Sequence, residues 1–312
     1  MTTPRFLVAG GARVDAGKTT FATGFCSYLL RQDVNPLGVK PRAGNDFWHD
    51  YDAVRSALSE GALYGRDIAR LAGAGGTPLE ASSTDDDESS HSRGQASSPM
   101  ETTETARLSR HHLTDINPIH RLWRPTPGET GLLGEQDRTF LIDRVATQDG
   151  VEYVVNGSAE QRGVMPSEIS DALELEGATR VTSVEELNQI TAEVYLDASR
   201  RLASRLEAAT RPLVIESYGD VAVPLELPVD AVAVVDPGRV RLYRGSSFLK
   251  SRDRVAGSPR EGRFETHTAA ITDSLDPVAV QSLSPLSRGA RENPEQVASR
   301  YADVYARLVD LL

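Results

Sequence analysis

Arg5-Phe6-Leu7-Val8-Ala9-Gly10-Gly11-Ala12-Arg13-Val14-Asp15-Ala16-Gly17-Lys18-Thr19-Thr20 is the stretch on which the reading of the fold turns. An apolar run stops at a glycine pair, a short mixed loop follows, and an apolar-periodic segment continues to Leu30. The pattern predicts strand, glycine loop, helix. In such a loop the backbone N–H groups and the positive end of the helix dipole together form a cradle for phosphate groups.

Outward from this motif, short strand and helix signals alternate. Leu37 to Lys40 reads as a second strand between Pro36 and Pro41, and Val54, Leu58, Leu63, Ile68 and Leu71 have helical spacing. Further strands are expected at Thr139 to Ile142, Val151 to Val155, Leu213 to Ile215, Ala231 to Val235 and Val240 to Tyr243. A long helix is expected from Val184 to Leu206, with Ser183 and Glu186 as its capping box. A terminal helix should run from Pro294 to Leu312, with Asn293 as N-cap. This alternation predicts an α/β fold: one three-layer domain over residues 1–312, with a mostly parallel sheet and helices on both faces. Residues 73–106 break the pattern, being rich in Ser, Thr, Asp and Glu around Asp85-Asp86-Asp87-Glu88, and are expected to form a disordered acidic insertion.

Composition narrows the function classes. The excess of 45 acidic over 34 basic residues gives a formal net charge of −11, which argues against nucleic acid or an anionic membrane as the main partner. No stretch approaches the roughly 20 apolar residues of a membrane span, and Met1-Thr2-Thr3 leads into β-like sequence without a signal-peptide layout, so a cytoplasmic location is expected. Cys26, in the apolar run Phe21 to Leu30, reads as a buried small hydrophobe. Of the 34 basic residues only Lys18, Lys40 and Lys250 are lysines, so a lysine marks a position where a compact ammonium is called for instead of a planar fork.

Ala12-x-x-x-x-Gly17-Lys18-Thr19 is the spacing of a P-loop with alanine in place of its first glycine. Gly11, Ala12, Arg13, Val14, Asp15, Ala16, Gly17, Lys18, Thr19 and Thr20 are accordingly the expected nucleotide-binding residues. Lys18 would reach the terminal phosphates of ATP, and Thr19 would offer its hydroxyl to Mg²⁺. A carboxylate should accompany Thr19 at the metal. Asp46 and Asp50, in the polar and aromatic run Arg42 to Asp52, are the candidates, and Asp50 fits a helix N-cap equally well. Glu216 closes the apolar strand Leu213-Val214-Ile215, and in open α/β sheets ligands bind at the carboxyl ends of strands. His49, His111, His112 and His120 match no zinc spacing; His112 and His120 read as substrate-loop or packing residues.

The full loop from Gly11 to Thr19 resembles that of the dethiobiotin synthetase-like group of P-loop NTPases, in which an acid two positions before the glycine-lysine pair is common, as Asp15 is here. Gly38-Val39-Lys40-Pro41 resembles that group's lysine-proline motif, and Leu213 to Gly219 its apolar strand ending in a glutamate. The resemblance covers residues 1–60 and roughly 150–240. It implies that Lys18 and Lys40 face the reacting phosphate and carboxylate, with Glu216 at the Mg²⁺. It further implies a ligase that activates a carboxylate or carbamate of a small substrate as a mixed anhydride, which an amine then attacks. Two departures lie where substrate would bind: Arg13 replaces the usual acid, and Ser217-Tyr218-Gly219 lacks the small-residue run. Arg13 also stands five residues before Lys18, where partitioning- and maturation-type ATPases carry a signature lysine. The alternative is therefore a nucleotide-gated ATPase in which ATP closes a homodimer around a protein client.

Overall fold

The computed structural model describes residues 3–11, 17–75, 110–257 and 265–312. In chain order its first half contains β1 (Arg5–Gly10), α1 (Lys18–Leu30), β2 (Leu37–Val39), β3 (Arg42–Asp46), α2 (Tyr51–Ser59), α3 (Arg66–Ala74), α4 (Arg110–Ile116), β4 (Ile119–Thr130), β5 (Gln136–Thr147) and β6 (Gly150–Asn156). Then come α5 (Gly157–Gln161), α6 (Ser167–Ala172), β7 (Thr179–Val181), α7 (Val184–Ile190), a π-helical turn (Thr191–Tyr195), α8 (Leu196–Glu207), β8 (Leu213–Glu216), β9 (Ala231–Asp236) and β10 (Arg239–Arg244). The chain ends with α9 (Gly245–Val255), α10 (Thr268–Thr272), β11 (Ala279–Ser282), α11 (Arg288–Glu292), α12 (Pro294–Arg300) and α13 (Ala302–Val309).

The fold is α/β, but the expectation of a mostly parallel sheet is corrected: the strands form two mixed sheets. The first has the order β11-β10-β9-β1-β8-β2, in which β2, β8, β1 and β9 run parallel and β10 and β11 are antiparallel to their neighbours. The second has the order β3-β4-β5-β6-β7, parallel at its two outer pairings and antiparallel at the inner two. Link length explains the antiparallel β9–β10 pair. A parallel pair needs a crossover of about a dozen residues or more, whereas β9 turns into β10 through Pro237-Gly238, with Gly238 at a φ of 78°, a value suited to glycine.

Helices cover both faces of the first sheet. Phe6, Val8, Val214, Ala233 and Val235 pack toward Phe21 and Phe25 of α1 and Val304, Tyr305 and Leu308 of α13. Leu7, Ala9, Ile215, Val232 and Val234 face the opposite way, toward Ile68, Leu202, Leu206 and Phe248. Strands buried on both faces read as unbroken apolar runs, which is why this part of the chain was legible without structure. The second sheet has its own cores, with Leu122, Ile142 and Val155 on one face and Trp123, Phe140, Val145 and Tyr195 on the other.

Other local expectations hold in detail. Ser183 accepts the Glu186 N–H, and Asn293 accepts those of Glu295 and Gln296 ahead of Pro294. The single helices expected after them are each broken, one by the π turn and the other at Tyr301. Of the expected insertion, Gly73 and Ala74 instead complete α3 and Gly75 caps it, while residues 76–106 lie outside the described residues. Cys26 is fully buried, and burial pushes its thiol pKa up. Among the described residues no helix is long and apolar enough to cross a membrane.

Candidate functional site

Register brings the site together. In the first sheet Val8 pairs with Glu216 and Val39 with Ile215, so Gly10, Glu216 and Lys40 leave the sheet at the same edge, at the carboxyl ends of β1, β8 and β2. Helix α1 starts beside them. Gly17 is its N-cap at φ 82°, ψ 17°, a left-handed conformation that puts Lys18 and Thr19 in the first turn. Gly10 has no room for a side chain: a Cβ there would lie 2.5 Å from the Gly219 carbonyl oxygen and 2.8 Å from Lys18 Nζ.

Three sequence-predicted residues, Thr19, Lys40 and Glu216, form one hydrogen-bonded set, and a fourth, Lys18, stands beside it. Thr19 Oγ1 donates to Glu216 Oε1 at 2.7 Å, and Lys40 Nζ donates to the same oxygen at 2.8 Å. Lys18 Nζ donates to the Gly219 carbonyl at 2.7 Å. A further member of the hydrogen-bonded set was missed from sequence: Asp67, whose Oδ2 accepts from Lys40 Nζ at 2.9 Å. In the sequence Asp67 looked like an ordinary acid in the first turn of an amphipathic helix, where it complements the helix dipole. Only the fold reveals that α3 brings it to the end of β2.

The charges shape one another. Burial on its own lowers the Lys40 pKa, but Asp67 and Glu216 outweigh burial and hold the ammonium above its ordinary value. Lys40 in turn pulls the Asp67 carboxyl from 3.8 down to about 2. Burial lowers the Lys18 pKa, opposed chiefly by Glu216. Because the folded pKa of Asp67 is depressed, its contribution to stability is complete above the unfolded value and is lost as pH falls from 3.8 through about 2. Its side chain is 49% exposed, so solvent screens the pair and the effect is modest. The melting temperature of the parent should therefore decline across that acid interval more steeply than that of Asp67→Asn. Equal acid slopes would remove the Asp67–Lys40 pair as a stabilising link.

The donor set suits a hard divalent cation. Mg²⁺ at a P-loop takes one or two protein carboxylates and leaves the rest of its shell to phosphate and water. Thr19 Oγ1, Asp67 and Glu216 supply that number. Glu216 is fully buried, and among the described residues its Oε2 has no hydrogen-bond partner while Oε1 accepts two. An orphaned buried carboxylate oxygen is costly unless something charged meets it. Among the described residues no group of three or more His, Cys, Asp or Glu could hold a metal by itself.

Asp46 and Asp50 are not brought into this set. Asp46 Oδ1 accepts the N–H groups of Trp48 and His49, and Asp50 Oδ2 accepts that of Asp46 at 2.8 Å. They brace the turn between β3 and α2 and make no hydrogen bond or ion pair with Lys18, Thr19, Lys40 or Glu216. Gly11 donates its N–H to Val235 O at 2.9 Å, and Thr20 follows Thr19 in α1. Ala12, Arg13, Val14, Asp15 and Ala16 lie outside the described residues. His120 is fully buried on β4 with neither ring nitrogen partnered among the described residues, and burial followed by Arg144 and Lys40 keeps it neutral.

Beside the set, Pro41, Arg42, Ile119, Tyr218, Val221 and Glu265 line a narrow cleft where the second sheet meets the first. Arg42 pairs with Glu265 and lies over the Tyr218 ring, 5.5 Å from its centroid, and Trp123 Nε1 donates to Tyr218 Oη at 2.9 Å. Compared with known proteins, the chain matches no family model, no curated protein and no solved structure.

Proposed function

We propose that this chain binds ATP with Mg²⁺ and hydrolyses it or transfers its γ-phosphoryl group to a carboxylate or carbamate of a small substrate. The observation that carries this reading is the junction of Lys18, Thr19, Lys40, Asp67 and Glu216 at the carboxyl edge of three parallel strands, with the N-terminus of α1 beside it. Phosphoryl transfer asks little covalent chemistry of a protein; positioning and charge neutralisation do most of the work. Lys18 now holds the Gly219 carbonyl and would exchange that bond for a phosphate oxygen. Lys40 stands between two carboxylates, charged and buried, at the end of β2 with β8 between it and β1, and would meet negative charge that grows during transfer. Thr19, Asp67 and Glu216 would hold Mg²⁺, which when bound neutralises and orients the phosphate oxygens. The cleft at Arg42, Tyr218 and Glu265 adjoins Lys40 through Pro41.

The test is phosphate release by the purified chain with ATP and with other nucleotides, with and without Mg²⁺, in the presence of small carboxylic acids and amines. Mg²⁺-dependent turnover stimulated by one of these compounds is expected. Absence of nucleotide binding at millimolar concentration would sink the reading. ATP-dependent dimerisation without any small-molecule stimulation would replace the ligase by the switch.

A further inference from the structure

Arg144 on β5 is 2% exposed, and among the described residues no carboxylate pairs with it. Isolated charge is expensive to bury, and a structural filler would cost less as an apolar side chain of similar volume. Burial pulls its pKa down to about 10, with only Tyr153 opposing.

Nη1 has no partner among the described residues, and Nε and Nη2 go to two segments that carry site residues. Nε donates to Leu63 O at 2.8 Å, just before the N-cap Gly65 of α3, the helix that bears Asp67. Nη2 donates to Asn117 O at 2.5 Å and to Asn117 Oδ1 at 2.8 Å. Asn117 Nδ2 in turn donates to the Lys40 carbonyl at 2.7 Å, and the Lys40 N–H donates to Ile116 O at 3.2 Å. One guanidinium thus spans the distance between the backbone that presents Asp67 and the backbone that presents Lys40. We infer that Arg144, acting through Asn117, is a positioning residue that sets the Lys40 ammonium against Asp67 for phosphoryl transfer. This rests on the proposed role of Lys40 and Asp67 at the nucleotide. A guanidinium suits the task because its planar fork addresses two sites at fixed angles, which neither an ammonium nor an apolar side chain can do. The same charge adds to the effect of burial in keeping the ring of His120, its direct cross-strand neighbour, neutral.

The experiment compares Arg144→Met, Arg144→Lys and Asn117→Ala with the parent, each assayed well below its own melting temperature so that all protein is folded. Misplacing a reacting group by about 1 Å can cost on the order of 10²-fold in rate. A fall of that order in kcat is expected for Arg144→Met and Asn117→Ala, with nucleotide Kd little changed and partial recovery in Arg144→Lys. Asn117→Ala keeps the Arg144 bond to the residue-117 carbonyl, so it remains informative should Arg144→Met fail to fold. A kcat within threefold of the parent in the folded variants would overturn the inference. A second readout needs no nucleotide: the Lys40 Nζ to Asp67 separation in crystals of a folded variant should lengthen beyond hydrogen-bonding range. If it stays at 2.9 Å, as in the parent, the positioning role is lost whether or not the protein turns over ATP.

Discussion

Lys18→Arg is expected to abolish nucleotide turnover although charge is conserved. The Lys18 ammonium fills a slot between the Gly219 carbonyl, 2.7 Å away, and the Cα of Gly10, where even a methyl group would stand 2.8 Å from Nζ. A guanidinium is planar, wider and made for forked contacts, so it cannot take that slot and then turn to a phosphate. Losing one preorganised cation at a phosphoryl group typically costs on the order of 10²–10³ in rate. Forcing extra atoms into a packed site adds about 1–3 kcal/mol of destabilisation. Steady-state turnover and thermal unfolding of the same preparation check both parts. Turnover within a few-fold of the parent would remove Lys18 from the phosphate.

Glu216→Gln carries the second large effect. The substitution keeps shape and removes charge from a fully buried carboxylate whose Oε1 already accepts from Thr19 and Lys40. Breaking a buried pair by neutralising one partner typically costs 3–5 kcal/mol, and because Lys40 retains Asp67 the lower figure, about 3 kcal/mol, is expected. The rate should fall by on the order of 10²–10³. The apparent need for Mg²⁺ should rise, because the orphaned Oε2 no longer offers a charged ligand. Lys40→Ala should lower kcat comparably while nucleotide affinity is largely kept. If Glu216→Gln shows the parent's turnover across a Mg²⁺ titration, Glu216 is a structural strand end and the ligase-like mechanism loses its main support.

The elements legible in the sequence were those whose environment is uniform along the chain. Buried parallel strands such as Leu213 to Glu216 and Ala231 to Asp236 are apolar throughout, and the start of α1 follows a glycine loop of known spacing. Strand β4 was missed because Arg121, Arg124, Pro125 and Pro127 make it look like a loop. One of its two arginines is nonetheless buried: Arg121 forms a two-pronged pair with Asp143, which Tyr195 also joins, so tertiary pairing overrides composition. Within the site, Lys18, Thr19, Lys40 and Glu216 sit beside local motifs and could be named in advance. Asp67 and Arg144 could not, because each acts through a partner distant in sequence, 27 residues from Lys40 in the first case and 27 from Asn117 in the second.

Strand β2 ends at Val39 in the first sheet, and β3 begins at Arg42 in the second, with only Lys40 and Pro41 between them. The chain has no slack there. Side chains alternate along a strand with a period of two, so one inserted or deleted residue at this joint would turn every β3 side chain to the opposite face, Ala43 and Asn45 among them. It would also carry Lys40 away from Glu216. Length changes that surface loops absorb freely are thus barred from this dipeptide.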